Sequence, residues 1–203
     1  MRTKTAALAD KILAAAAQLF ASHHFHQARM EDIADLAGVG KGTLYRYFKD
    51  KEELYMALLE DVDERWTERA RAAAEVHGAR AKLEAVVAAI IDFCDENPHV
   101  IDLAQHAEVM QGPDAELPSQ RMRRDNTRLI ESILEEGRRN GEFCAADPEL
   151  AARLLIGGLR PVIRCGATPR TPDLPRRIVD LLLDGAARAS CQEPTSRDRK
   201  GAG

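Results

Sequence analysis

Apolar residues in this chain recur at steps of three and four over nearly its whole length, a spacing that gathers them on one face of successive helices. Leu8, Ile12, Ala15, Ala16, Leu19 and Phe20 open the series. No stretch alternates with the period of two that a half-buried strand needs. Composition agrees, because 45% of the 203 residues are hydrophobic and only 4% are aromatic, with Ala and Leu, the strongest helix formers, dominating. An all-α fold follows.

Breakers divide the pattern. A first helix is expected over residues 5–22, a second of about two turns over 31–37, stopped by Gly38, and a third over 41–48. Asp50 followed by Glu53 has the form of a capping box and opens a long fourth helix at Lys51, where Leu54, Leu58, Val62 and Trp66 share a face up to His77-Gly78. Further helices are expected over 79–96, 99–110 and 119–139. Asp147-Pro148-Glu149 is a strong start signal for a helix through Cys165, with a kink expected at Pro161. A last helix covers 176–189, and the polar tail 191–203 is expected to be disordered. Residues 1–53 would form one domain and 54–190 a second.

Several function classes drop out. No apolar run approaches the roughly 18 residues that span a bilayer, and Asp10 and Lys11 interrupt any signal-peptide core, so a cytoplasmic chain with no membrane partner is expected. Cys94, Cys144, Cys165 and Cys191 lack paired spacing and read as free thiols. His23, His24 and His26 sit in a turn without Cys or carboxylate partners at ligand spacing, so no metal is expected. No nucleophile elbow, phosphate-binding Gly loop or His-Glu-x-x-His occurs, which argues against an enzyme and against a cofactor.

The second and third helices, joined through Gly38-Val39-Gly40, form a helix-turn-helix, whose second helix enters the DNA major groove. At about 100° per residue, Leu44 and Phe48 point to one side, where Ile33, Leu36 and the first helix are expected to cover them. Arg46 points nearly opposite, with Gly42 and Thr43 beside it and Tyr45 and Tyr47 on the flanks. Arg pairs with guanine, a Thr hydroxyl and methyl read base edges, and Tyr hydroxyls suit phosphate, although each Tyr could equally pack. Gly42 leaves room for the DNA backbone, and Lys41 and Lys51 are expected at phosphates. Residues 38–51 carry about +3 in a chain of formal charge −4.

Ile12-Leu13 through Leu19-Phe20, Asp32-Ile33-Ala34, Ala37 through Phe48 and Lys51-Glu52-Glu53-Leu54 occur in order at fixed spacing. This first quarter resembles the amino-terminal DNA-binding domain of TetR-family transcriptional regulators. Arg29 stands where that family usually has Thr or Ser, and is expected to supply the phosphate contact electrostatically. The resemblance implies a ligand-binding and dimerisation domain in the remaining helices, and hence a ligand-responsive regulator, most often a repressor, that binds a pseudo-palindromic operator as a homodimer. It places Trp66, Phe93, His106, Met110 and Cys165 around a pocket for a small-molecule effector. The last two helices are the most apolar, so Leu155, Leu159, Val162, Ile178 and Leu182 are expected at the dimer contact. The alternative is a helical sensor or partner-binding module that has lost operator specificity.

Overall fold

The computed structural model describes residues 4–22, 25, 27–98, 100–111, 117–143, 147–166 and 168–190. They form α1 (Lys4–Ser22), α2 (Met30–Ala37), α3 (Lys41–Tyr47), α4 (Lys51–Ala73), α5 (Ala79–Glu96), α6 (Val100–Gln111), α7 (Pro118–Asn140), α8 (Pro148–Cys165) and α9 (Leu174–Ser190). The expected helices are all present. The tail 191–203 and the three turn histidines fall outside the described residues.

Local chemistry accounts for the ends. Gly38 closes α2 in the left-handed region (φ 66°, ψ 36°), and its N–H donates back to the Ala34 and Asp35 carbonyls. At the start of α4, the Asp50 carboxylate accepts from the Glu53 N–H at 2.8 Å while Glu53 accepts from the Lys49 N–H at 2.8 Å. Those reciprocal bonds satisfy two of the donors that a helix start leaves free. Asp147 accepts from the Leu150 N–H at 2.9 Å with Pro148 at the first helical position, and α8 then continues through Pro161 to Cys165.

Two compact units result: residues Met1–Arg69 with Asp92–Arg123, and Ala70–Ile91 with Arg124–Gly203. α4, α5 and α7 contribute to both units. The reason lies in the first core. Ile12, Ala16, Ile33, Leu44 and Leu54 are fully buried in one cluster, and Leu58 and Leu59 of α4, Leu103 and Ala107 of α6 and Leu117 complete it. Each large aliphatic side chain so buried contributes about 1.5 to 3 kcal/mol. Phe20, Phe25 and Tyr55 add a ring trio with centroids 5.0 to 5.6 Å apart. The Tyr55 hydroxyl donates to the Leu103 carbonyl, which ties α4 to α6, and burial raises its ionisation above the usual tyrosine range.

In the second unit Leu83, Val86 and Val87 of α5, Ile130, Ile133 and Leu134 of α7, Ala152, Leu155 and Leu159 of α8, and Val179 and Leu183 of α9 are buried. Glu142 accepts from the Ala79 and Arg80 N–H groups at 3.1 and 3.3 Å and so caps α5. Lys82 of α5 pairs with Glu136 of α7 at 2.7 Å. Gly137 admits the Phe143 ring, since a Cβ there would lie 2.1 Å from it.

Candidate nucleic-acid interface

α3 is held by one side and presents the other. Leu44 is fully buried and Phe48, its C-cap, is 8% exposed, so the helix is pinned to the α1/α2 core. Ile33 covers them as expected. Leu36 does not, being 46% exposed. Gly38 ends α2 two residues after it.

α3 exposes Lys41, Gly42, Tyr45 and Arg46, of which Gly42 and Arg46 lie opposite Leu44, while Thr43 and Tyr47 are half-buried. A Cβ built on Gly42 would meet nothing within 4 Å, so the protein itself does not require glycine there. The Arg46 guanidinium lies 5.9 Å from the Tyr47 ring centroid, within cation–π range, which orients it without burying it. Tyr47 packs against the core cluster, so it divides its ring between support and surface. Arg29, at the N-cap of α2, is exposed and makes no side-chain capping bond.

Two lysines expected at phosphates have protein partners. Lys51 is half-buried, and its ammonium donates to the Phe25 carbonyl at 2.7 Å and the Ala28 carbonyl at 3.0 Å while sitting 4.3 Å from the Phe25 ring centroid. It fastens the α1–α2 loop to the start of α4. Two of its three donors are on carbonyls, so it has a structural duty beside the expected phosphate contact. Lys41 pairs with Glu31 of α2 at 2.5 Å, and both side chains remain exposed. The hydrogen bond lowers the Glu31 ionisation and raises that of Lys41. α3 itself carries no acidic residue, and only the fold brings Glu31 to Lys41.

Residues 12–58 match the model of bacterial regulatory proteins of the tetR family, and residues 76–164 match that of the tetracyclin repressor-like C-terminal domain. The chain belongs to the TetR family. It is a DNA-binding transcriptional regulator of the helix-turn-helix type, not an enzyme. Among curated relatives, the HTH-type transcriptional regulator YhgD of Bacillus subtilis (strain 168) is 29% identical over 149 residues, covering 71% of this chain and 76% of that protein. The fatty acid metabolism regulator protein of the same strain is 28% identical over 151 residues, covering 72% and 77%. The fold matches that of the transcriptional regulator FadR from Bacillus subtilis, solved in complex with stearoyl-CoA, with a TM-score of 0.68 at 24% identity over 87% of this chain and 98% of that one.

As in a TetR protein, the helices after the DNA reader carry the remaining candidates. Trp66 and Phe93 are buried and pack edge to face at 5.4 Å. The His106 and Met110 side chains fall outside the described residues, and Cys165 is exposed at the end of α8. On α8, Leu155 and Leu159 are 5% and 3% exposed, so the protomer's own core takes both, while Val162 of α8 and Ile178 and Leu182 of α9 are half-buried. Among the described residues of α8 and α9, the exposed large apolar side chains are others, namely Leu150 (52%), Leu154 (63%) and, on α9, Leu181 (78%). Leu150, Leu154, Gly157, Gly158 and Pro161 are all exposed and share one stripe of α8, opposite the buried Ala152, Leu155 and Leu159.

Proposed function

We propose that this TetR-family regulator is a repressor that binds a pseudo-palindromic operator as a homodimer and releases it when a small effector binds the helices beyond α3. The observation that carries this reading is α3 itself: Thr43, Tyr45 and Arg46 stand beside the open space at Gly42, directly behind the fully buried Leu44 that fixes the helix. Each protomer would seat one α3 in a major groove, with half-sites about 34 to 36 Å apart. The α8 stripe and Leu181 support self-association, because a two-fold axis would pair apolar surface that a lone protomer leaves in water. The protein would act in the cytoplasm, and no helix among the described residues is long and apolar enough to cross a membrane.

Effector and operator are linked through a shared core. Leu103 and Ala107 of α6 lie in the same cluster as Leu44 of α3, so a ligand that displaces α6 would disturb the seat of the reading helix. Linkage makes the effect reciprocal, each ligand weakening the other. A long-chain acyl thioester is the effector to test first, supported by the relatives named for fatty-acid control and by the apolar Trp66–Phe93 pair. The experiment is enrichment of duplexes from a random-sequence pool, followed by competition with palmitoyl-CoA or free CoA. A palindromic sequence released by palmitoyl-CoA but not by CoA is expected. Enrichment of no sequence would overturn the regulator reading, and retention of DNA at saturating palmitoyl-CoA would overturn the effector class.

A further inference from the structure

We infer that Glu31 is a specificity-determining residue that works by occupying Lys41 in place of a DNA phosphate. The observation is geometric. Lys41 is the first residue of α3, on the face that must approach the DNA backbone, and its ammonium lies 2.5 Å from a Glu31 carboxylate oxygen contributed by α2. A carboxylate at that distance is the same kind of partner as a phosphate oxygen, a charge-assisted acceptor for a lysine N–H. A phosphate drawn to this ammonium would come close to the Glu31 carboxylate, and like-charge repulsion makes the two compete for the lysine. Both side chains are exposed, 59% for Lys41 and 38% for Glu31, so the pair is screened by solvent and can open without exposing a buried charge.

That weakness makes the pair a discriminator. On a cognate site, the base contacts of Arg46 and Thr43 hold α3 deep in the groove, the backbone comes close, and a phosphate replaces Glu31. On non-cognate DNA the helix is seated loosely, and Glu31 keeps Lys41, so one phosphate contact is never made. Each contact contributes about 0.9 to the slope of log K against log salt for duplex DNA. Withholding one contact selectively widens the gap between cognate and random sequence.

The inference rests on DNA binding by α3, and its test separates the two. Wild-type protein first selects a duplex from a random pool, and failure at that stage contradicts the DNA-binding function, leaving Glu31 nothing to discriminate. Salt dependence is then measured on the selected duplex and on a scrambled duplex of equal composition, for wild type, Glu31→Gln, Lys41→Gln and the double variant. Expected for Glu31→Gln is a slope steeper by about 0.9 per reading helix on the scrambled duplex, an unchanged slope on the selected one, and a lower specificity ratio. In the Lys41→Gln background the effect of Glu31→Gln should vanish. Persistence of the effect there would show that Glu31 acts through general repulsion of DNA and would overturn the inference. So would an unchanged slope on scrambled DNA, or equal steepening on both duplexes. Circular dichroism melts of the four proteins distinguish a folding defect from these outcomes, since the exposed pair should leave them alike.

Discussion

At the scale of single residues, the reading helix separates side chains that hold it from side chains that are available to a partner. Leu44 and Phe48 do the first, and Thr43, Tyr45 and Arg46 the second. Gly42 has no steric duty inside the protein, so Gly42→Ala should melt as the wild type does and lose affinity for a selected duplex. Unchanged affinity would mean that no DNA backbone comes near. Lys51 behaves in the reverse way. Because its ammonium is spent on the Phe25 and Ala28 carbonyls, Lys51→Met should lower the unfolding midpoint, with a loss of about 1 to 3 kcal/mol from the two acceptors left without their charged donor. Its salt slope for DNA should change little, and a slope shallower by about 0.9 with unchanged stability would show that Lys51 serves a phosphate instead. The amphipathic period made Leu44 and Arg46 legible from sequence. Lys51 was not, because its partners lie 26 and 23 residues earlier in a loop whose course no local pattern encodes.

At the scale of elements, the caps at Gly38, Asp50 and Asp147 were readable because a cap is a contract between near neighbours. The orientation of α8 was not. Outside the charged side formed by Glu149, Arg153, Arg160 and Arg164 that helix is apolar, so its period does not say which apolar stripe goes inward, and the structure turns Leu155 and Leu159 in and Leu150 and Leu154 out. A charge at Leu159 should therefore unfold the protomer, whereas Leu154→Glu with Leu181→Glu should leave it folded and monomeric in sedimentation. A double variant that still sediments as a dimer would remove this stripe from the interface. Glu142 gives a pH prediction. Its hydrogen bonds from the Ala79 and Arg80 N–H groups hold its folded ionisation below the ordinary value of 4.5. The stability it adds is therefore present above that ordinary value and is lost as pH falls through the lower folded one. Glu142→Gln should flatten this part of the acid limb of a melting curve, and an unchanged acid limb would show that the cap carries no pH dependence.

At the scale of the whole molecule, charge is divided as the function requires. The overall −4 conceals a first 53 residues near +1 and a remainder near −5, and residues 38–51 near +3. An acidic body discourages indiscriminate DNA contact and leaves attraction to the local basic face. The fold class and the reader were legible because periodicity and motif spacing are local. The grouping of α6 with the reader was not, since Leu103 meets Tyr55 only through tertiary packing. Base reading by α3 rests on Arg46. It is tested most directly by anisotropy titration of wild type and Arg46→Ala on a selected duplex and on its scrambled counterpart. A loss of about 1 to 3 kcal/mol confined to the selected duplex, with relaxed base preference, is predicted; equal losses on both duplexes would contradict it.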